Sequence, residues 1–210
     1  MAAELSIEAE LAEIAHSALA PRLLLHCCCA PCASYVIEYL SRYFKITVFY
    51  YNPNIAARSE YEKRAAELQK LPIKDGYPNL VDMIICGYDP DSFETVEASF
   101  RDEPEGGMRC RACFELRLEK TAKYAKEDGF DYFTTTLTVS PHKNAAILNK
   151  IGGRLADKYG VKYLYSDFKK KDGYKRSIEL SNQYGLYRQS FCGCNTSFLN
   201  SLHKPGSKKC

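Results

Sequence analysis

The sequence predicts a single α/β domain built on an open, mostly parallel sheet. Five short runs rich in apolar and aromatic residues alternate with segments of helical periodicity, which is typical of parallel strands joined by helical crossovers. The 210 residues suit one domain with a full hydrophobic core. No internal repeat or low-complexity linker divides the chain, so we expect one domain over 1–210, with a helical extension at 1–20 and a flexible tail at 202–210.

The predicted elements follow one another with a turn signal at each boundary. Ile7, Leu11 and Ile14 lie near one helical face, which predicts an N-terminal helix that Pro21 ends. Strands are predicted where short apolar runs lie between turn residues, and helices where apolar residues recur with helical spacing. The expected strands occupy 22–26, 46–51, 80–86, 132–137 and 161–165. The expected helices occupy 4–19, 31–43, 59–71, 91–100, 110–128, 140–159 and 174–184.

Proline and serine residues mark several of these helix boundaries. Pro31 suits the first turn of its helix, because its missing N–H costs nothing there. Pro72 follows a helix that it cannot continue. Ser59 and Ser140 are the expected N-caps of the helices that they begin.

Composition narrows the class of protein. Hydrophobic residues make up 46% and charged residues 26%, which is an ordinary globular composition. No apolar stretch is long enough to span a membrane. The first residues show no basic stretch followed by an apolar run, so we expect no secretory signal and a cytoplasmic location. The net charge of +3 permits an anionic partner without requiring one, and we draw no oligomeric state from the sequence.

Ten cysteines are far more than such a chain ordinarily carries. Structural disulfides are rare in the reducing cytosol, where cysteines more often bind metal or do redox chemistry. Eight of the ten fall in three tight clusters. Cys86, on an apolar strand, and Cys210, in the tail, are expected to stand outside any site. The clusters are Cys27-Cys28-Cys29-Ala30-Pro31-Cys32, Cys110-Arg111-Ala112-Cys113 and Cys192-Gly193-Cys194.

The positions of these clusters indicate one shared site. The first follows a strand and opens a helix, at the sheet edge where α/β proteins bind ligands and where a helix N-terminus favours thiolates. The second lies at a helix start, so both sulfurs can face one ion. In the third, glycine lets the backbone turn tightly. Soft thiolates select iron–sulfur clusters, zinc or Cu(I).

Three interpretations of the clusters stay open at this level. An iron–sulfur site uses most of the cysteines. A structural zinc site needs only four ligands, and the two C-x-x-C pairs are farther apart than usual for zinc. Cys29-Ala30-Pro31-Cys32 also matches a thioredoxin-like motif after a strand, but that interpretation leaves the other two clusters without a role.

Five segments of the chain carry long motifs in a fixed order. They run from His26 to Cys32, Tyr51 to Ile55, Glu103 to Cys113, Phe133 to Asn144 and Leu186 to Cys194. Together they resemble the QueH family of epoxyqueuosine reductases, and the resemblance spans about residues 22–198. The first segment matches the family's H-x-C-C-x-P-C pattern, although Cys27 occupies a position where the family usually has a small residue.

The resemblance implies an oxidoreductase that converts epoxyqueuosine, in the anticodon of tRNA, to queuosine. It also implies a Rossmann-like fold of the adenine-nucleotide-hydrolase/PP-loop type. Cysteines stand in the first loop where those relatives carry a glycine-rich phosphate loop, so we expect no ATP. A [4Fe–4S] cluster and a nearby second metal complete what the family implies. Iron is our candidate for the second metal, and we expect an external low-potential electron donor.

A division of the site residues follows from this resemblance as a hypothesis. Removing the epoxide oxygen takes two electrons and at least one proton, and a cluster stores one electron per step. A second metal could instead grip the epoxide oxygen as a Lewis acid, or a dithiol could supply the second electron. In this assignment Cys28, Cys29, Cys110 and Cys113 hold the cluster, Cys192 and Cys194 form the redox pair, and Cys32 and Asp89 bind the second metal.

The tRNA anticodon loop should meet basic groups and aromatic faces. Lys170 and Lys171 belong to a basic segment around Tyr174 that would suit this role, although a solvated charge run is the usual meaning of such a stretch. Lys143 follows Ser140 near a helix start that could bind a phosphate. Arg188, beside the C-x-C pair, could position the substrate or simply pack.

Two rival functions belong to other classes. One is a general thioredoxin-like thiol–disulfide oxidoreductase. The other is a zinc-stabilised nucleic-acid-binding module. The colour and metal content of anaerobically purified protein separate them from an iron–sulfur enzyme, because only the latter is brown and contains iron.

Overall fold

Five parallel strands form the sheet at the centre of the molecule. The structure is a computed structural model, and it describes residues 7–17, 19–73 and 76–202. The expected open parallel α/β sheet is confirmed, with helices on both faces. The strands are β1 (Arg22–His26), β2 (Lys45–Tyr50), β3 (Val81–Ile85), β4 (Tyr132–Thr135) and β5 (Lys162–Tyr163).

At least one helix lies between each strand and the next along the chain, as parallel strands require. No helix within the described ranges is both long enough and apolar enough to cross a bilayer. The helices are α1 (Ile7–Ala15), α2 (Ala30–Leu40), α3 (Arg58–Leu68), α4 (Asp91–Ser99), α5 (Met108–Glu127), α6 (Ala145–Tyr159), α7 (Gly173–Gln183) and α8 (Asn195–Leu202), with a short 3-10 helix at Thr136–Val139.

The strand order is β3-β2-β1-β4-β5. The chain adds β2 and β3 on one side of β1 and then β4 and β5 on its other side, so the order of addition switches between β1 and β4. Leu24 of β1 is in register with Thr47 of β2 and with Phe133 of β4, so β1 is the central strand. Loops that leave β1 and β4 separate to opposite sides of the sheet at this point. Such a crevice, at the carboxyl ends of the strands, is where open α/β sheets bind ligands.

The core consists of two layers because successive side chains of a strand point to opposite faces. Leu23 and Leu25 pack against α2, in a cluster that includes Val36 and Ile37. Leu24 packs on the other face, against α5 and α6. Each such leucine is fully buried and stabilises the fold by roughly 1.5–3 kcal/mol. This anchors β1, and with it the cysteine loop that follows.

Several expected helix and strand ends are wrong. Ser59 is not an N-cap, since Ala57 precedes the first residue of α3. Ser140 is not one either: Asn144 caps α6, and its Oδ1 accepts the N–H of Ile147 over 3.2 Å. The fourth strand ends at Thr135, because the Thr135 hydroxyl accepts the N–H of Leu137 over 3.1 Å and starts the 3-10 helix.

Other differences concern the ends of the chain. The first helix ends at Ala15, well before Pro21, and α3 ends at Leu68, before Pro72. Helix α8 (Asn195–Leu202) was not expected. The expected flexible tail lies, apart from Leu202, outside the described residues, as do residues 1–6 of the N-terminal extension.

Candidate metal centre

The first cysteine cluster lies in the crevice between β1 and β4. The N–H of Cys28 donates to the Thr136 hydroxyl over 3.4 Å, which ties the loop after β1 to the loop after β4. Cys29 occupies the N-cap position of α2, and Pro31 lies in the first turn, as predicted. The loop therefore turns directly from the central strand into a helix N-terminus.

Three sulfurs meet at this helix start. The Sγ atoms of Cys28, Cys29 and Cys32 all lie within 4.8 Å of one another. The Cys28 and Cys29 sulfurs are 3.6 Å apart. Metal–thiolate bonds are about 2.3 Å long, so sulfurs this close can share one metal centre. The trio is the part of the site that is ready to bind a soft metal.

The pKa values within the trio favour a thiolate at Cys28. Hydrogen bonds from the thiols of Cys29 and Cys32 lower the pKa of Cys28 well below its usual range, against the opposing effect of burial. The positive charges of Lys143 and Arg117 lower it further. The pKa of Cys32 is raised, because its thiol donates to both neighbours. One stabilised thiolate therefore sits beside two protonated thiols.

Cys27 is not one of the three cysteines whose sulfurs converge. Its side chain is fully buried in the core beside α2, and its thiol donates to the carbonyl oxygen of Cys29 over 3.3 Å. Burial raises its pKa well above the usual range. The extra thiol of this chain is a packed core side chain.

His26 closes the back of the crevice and stays neutral. Its Nε2 faces the Tyr51 carbonyl oxygen at 3.1 Å, so Nε2 carries the proton and donates. Its Nδ1 then accepts from the Thr135 hydroxyl at 2.9 Å. Burial, followed by the charge of Arg117, lowers the pKa of His26 to about 3. His26 thus joins three strand ends and does not act as an acid.

Helix α5 carries the second cluster. Cys110, Cys113 and Arg117 are spaced i, i+3 and i+7, so they share one face of the helix. The Cys110 sulfur accepts the N–H of Gly106 over 3.2 Å. Burial raises the pKa of Cys113 to about 12, and the charges of Cys192, Cys194 and Cys110 act in the same direction. The second and third clusters are therefore neighbours.

The third cluster is a tight turn held by an arginine. Gly193 has a φ of +123°, a conformation that favours glycine, which confirms the expected role of this glycine. Arg64 donates to the carbonyl oxygens of Cys192 and Phe191 over 2.9 and 3.3 Å. Cys192 faces the cavity, whereas Cys194 is buried in a small cluster with Cys113.

A cavity of about 530 Å³ opens over the first and third clusters. The described residues that line it include four lysine or arginine side chains but only one carboxylate, that of Glu105. This excess of positive charge favours an anionic ligand. The lining includes Cys28, Cys29, Cys32, Cys192, Arg64, Arg117, Lys143, Arg188, Gln189 and Tyr174.

The predicted site residues fall into three groups. Cys28, Cys29, Cys32, Cys192, Lys143 and Arg188 line the cavity. Cys110, Cys113 and Cys194 lie behind its wall, next to one another. Asp89, Lys170 and Lys171 are not among the residues that line it within the described part of the chain.

Asp89 instead lies at the start of α4. Its Oδ2 accepts the hydroxyl of Ser92 over 2.5 Å and that of Tyr51 over 3.4 Å. Its part in a second metal site stays a prediction. Lys171 is exposed and its Nζ is paired with Glu8 at 2.7 Å. The binding role of Lys170 and Lys171 also stays a prediction.

The sequence argument missed three cavity residues. Arg117 could have been found from its spacing to the C-x-x-C pair, because it lies four residues after Cys113 on the same helical face. Gln189, whose buried Oε1 has no hydrogen-bond partner in the described structure, lies next to Arg188. Arg64 gives no such signal, since it reaches the site from a helix without cysteines.

A family profile that matches most of the chain identifies the family of this protein. The profile described as epoxyqueuosine reductase QueH matches residues 23–200. The chain belongs to the QueH family. This membership confirms the resemblance carried by the five sequence segments, and it covers the three cysteine clusters and the cavity between them.

Several relatives named epoxyqueuosine reductase QueH support the membership. The protein of Staphylococcus epidermidis is 46% identical over 179 residues, which are 83% of this chain and 75% of the relative. That of Streptococcus pyogenes is 46% identical over 178 residues, 83% and 69% of the two chains. The Staphylococcus aureus protein is 44% identical over 182 residues, 84% and 75% of the two chains.

Proposed function

We propose that this protein removes the epoxide oxygen of epoxyqueuosine in the anticodon loop of tRNA, giving queuosine, at an iron–sulfur cluster in the cysteine-lined cavity. The observation that carries the proposal is the convergence of three cysteine clusters on one basic cavity in a chain of the QueH family. The reaction consumes two electrons and two protons and releases the oxygen as water.

The donor set suits a [4Fe–4S] cluster. Seven thiols lie in or directly behind one cavity, and thiolates are the ligands that hold such clusters. Buried Arg117 carries an Nη2 that has no partner among the described residues, as expected beside an anionic group. When bound, the cluster supplies electrons one at a time and is replenished by an external low-potential donor. We assign Cys28, Cys29, Cys110 and Cys113 as its ligands.

The remaining cysteines have separate proposed roles. Cys192 and Cys194 form the redox pair, on a turn that Arg64 holds by its carbonyl oxygens. Cys32 is proposed to bind a second iron, because its sulfur lies within 4.8 Å of those of Cys28 and Cys29. Asp89 has no comparable support, since it contacts Ser92 and Tyr51 and not the cysteines of the cavity.

Lys143 is the proposed proton donor or phosphate contact inside the cavity. Burial acts to lower its pKa, but the charges of Cys192, Cys28 and Cys32 raise the pKa overall. The ammonium therefore keeps its proton at neutral pH and can donate it to a developing oxygen anion or bind a phosphate. His26 does not compete for this role, because it is neutral and both ring nitrogens are already paired.

Arg188 and Tyr174 form the proposed contact with the tRNA base. The Arg188 guanidinium lies 5.9 Å from the centre of the Tyr174 ring and donates to the Ser181 hydroxyl over 3.0 Å. Tyr174 is 37% exposed and lines the cavity, so we assign its ring to stacking on an unpaired base.

The pKa of Cys29, the first cysteine of the C-x-x-C motif, argues against a thioredoxin-like function. Such enzymes need a lowered pKa at the first cysteine of the C-x-x-C pair. Here Cys29 is 2% exposed, and its hydrogen bond to Cys28 raises its pKa to about 11. The thiol that the motif would use as nucleophile is buried and protonated.

An anaerobic assay on epoxyqueuosine-containing tRNA with dithionite as electron source tests the function. We expect a brown, iron-containing protein that forms queuosine. A cluster-replete sample that forms none would overturn the proposed function. Within the same preparation series, Cys110→Ser should lose iron and Cys86→Ser should keep it, and full iron content in the Cys110→Ser protein would refute the ligand assignment.

A further inference from the structure

Arg117 is a buried cation whose charge no carboxylate of the described residues neutralises. Its side chain is 1% exposed in the middle of α5. Nε donates to the Cys113 carbonyl oxygen over 3.3 Å, and Nη1 donates to Asn52 Oδ1 over 3.2 Å. In the described structure, Nη2 is buried without a hydrogen-bond partner and no ion pair includes Arg117.

A buried charge without a partner is strongly destabilising, so such a group normally faces an opposite charge. Thiol groups occupy the surroundings of Arg117. Burial acts against its charge, but Cys113, Cys192, Cys28 and Cys110 raise its pKa overall through their thiolate forms. Arg117 lies one turn after Cys113 on α5 and lines the cavity together with Cys28 and Cys192, so it adjoins all three clusters. The negative charge that balances Arg117 is therefore supplied by the cysteine thiolates and by the anionic group that they bind.

Two other buried arginines of the region differ from Arg117. Arg64 pairs with Glu60 at 2.7 Å, so its charge is already neutralised. Arg109 directs its Nη1 to carbonyl oxygens of the turn before α5, including that of Glu103 at 2.7 Å. Of these three buried arginines, Arg117 is the one that lines the cavity and also lacks a carboxylate partner in the described residues.

We propose that Arg117 sets the reduction potential of the iron–sulfur group by holding a fixed positive charge next to the three cysteine clusters. Reduction adds one negative charge to a group that is already anionic, so a nearby cation stabilises the reduced form more than the oxidised form. Charge and hydrogen bonding around the sulfurs are established determinants of cluster potential. The proposal rests on the proposed function, because it requires the cluster to be present.

The neutral variant Arg117→Met removes the charge and keeps an unbranched side chain in the core. In anaerobically prepared, iron-replete protein, we expect the ratio of reduced to oxidised cluster at a fixed solution potential to fall at least tenfold. This corresponds to a potential about 59 mV lower for a one-electron couple. Arg117→Lys keeps the charge and should recover most of the shift. The readout is a redox titration followed by electron paramagnetic resonance.

Arg111→Met is the matched control. Arg111 lies on the same helix, next to Cys110, but its side chain is exposed. Water and salt screen its charge, so its removal should change the ratio by less than threefold. An equal shift in both variants would overturn the proposal, because the effect would then come from the net charge of the helix.

A second variant addresses the case in which Arg117→Met fails to fold. Asn52→Asp places a carboxylate against Nη1, where Asn52 Oδ1 now lies at 3.2 Å, and so neutralises Arg117 without removing it. It also removes the hydrogen bond from Asn52 Nδ2 to the Cys27 carbonyl oxygen at 2.9 Å, so native circular dichroism is required of this variant. A similar fall in the ratio supports the proposal, and an unchanged ratio overturns it. A folded Arg117→Met protein that binds no iron, with iron restored in Arg117→Lys, also supports the counter-charge role.

The wild-type control separates this proposal from the proposed function. Iron-free wild-type protein would refute both the cluster and the role of Arg117. Iron-replete wild type that makes queuosine, together with an unshifted ratio in Arg117→Met, would refute only the role of Arg117.

Discussion

Arg64 donates a hydrogen bond from Nη1 to the carbonyl oxygen of Cys192 over 2.9 Å, although 128 positions separate the two residues. A second bond from Nη2 reaches Phe191, and Nε is paired with Glu60 at 2.7 Å. One buried guanidinium of α3 thus holds the C-x-C turn at the mouth of the cavity. The position of the proposed redox pair depends on a helix that carries no cysteine.

Arg64→Met should destabilise the fold and displace this turn. It removes two hydrogen bonds to carbonyl oxygens from a charged donor and leaves Glu60 without its ion-pair partner, with only the Tyr187 hydroxyl among the described residues still bound to it, so the free energy of unfolding should fall by roughly 2–4 kcal/mol. Urea denaturation measures this change. Arg58→Met, on the same helix, removes an exposed pair with Glu62 and a contact of the guanidinium with the Tyr88 ring at 4.9 Å, and it should cost less than about 1 kcal/mol. Equal losses in the two variants would contradict the assigned role.

Gly193→Ala should impair the reaction more than it impairs iron binding. The backbone there has a φ of +123°, and an added Cβ would lie 2.9 Å from Cγ1 of Ile55. The strain of about 1–3 kcal/mol is relieved by moving Cys192 and Cys194. Gly185→Ala is the control: its φ is +58°, but beyond its chain neighbours no atom of the described residues lies within 4 Å of the new Cβ. Queuosine formation per bound iron should fall in the first variant and stay near wild type in the second.

Replacing Cys28 or its neighbour Cys27 with serine should have opposite effects on the iron content per chain. Cys28→Ser removes the thiolate that Cys29 and Cys32 stabilise, so iron per chain should fall sharply. Cys27→Ser keeps a donor for the Cys29 carbonyl oxygen, and it should retain full iron with a stability loss of at most about 2 kcal/mol. Loss of iron in Cys27→Ser, in protein whose circular dichroism is native, would make Cys27 a ligand.

Two neighbouring lysines should contribute unequally to tRNA binding. Lys170 is exposed, whereas the Lys171 ammonium is paired with Glu8 at 2.7 Å. If both face phosphates, Lys170→Gln should lower the slope of log affinity against log salt concentration by about 0.7, the value for one single-strand contact. Lys171→Gln should lower it by less, because Glu8 already offsets its charge. Unchanged slopes in both variants would remove this segment from the tRNA interface.

Much of the fold follows from local pattern. The alternation of apolar runs with helical periodicity predicts the parallel sheet, because each strand and each crossover helix must bury one face. The ends of elements were less predictable. Ser140 looks like an N-cap, but the Thr135 hydroxyl binds the Leu137 N–H and starts a 3-10 helix, which moves the start of α6 to Ala145. Competition between side-chain hydrogen bonds, and not propensity, decides that boundary.

The convergence of the cysteines was predictable for a topological reason. Carboxyl ends of parallel strands share one edge of the sheet, so a cysteine loop after β1 and one at the start of α5 can meet there. The residues of other types that would join those cysteines at the site were not predictable in the same way. Asp89 follows β3 and looks like a ligand, yet its carboxylate accepts hydrogen bonds at the start of α4.

The sequence by itself determined the fold class, the family and the soft-ligand chemistry, because hydrophobic periodicity and cysteine spacing are local properties of the chain. Only the tertiary structure decided which charges face the thiols. Arg64 and Arg117 reach the site from α3 and α5 through contacts that depend on how those helices pack against the sheet. The same packing buries Cys27 while leaving Cys28 to line the cavity. Helical spacing shows which face of a helix a side chain occupies. Which groups that side chain contacts is decided by burial and by long-range hydrogen bonds.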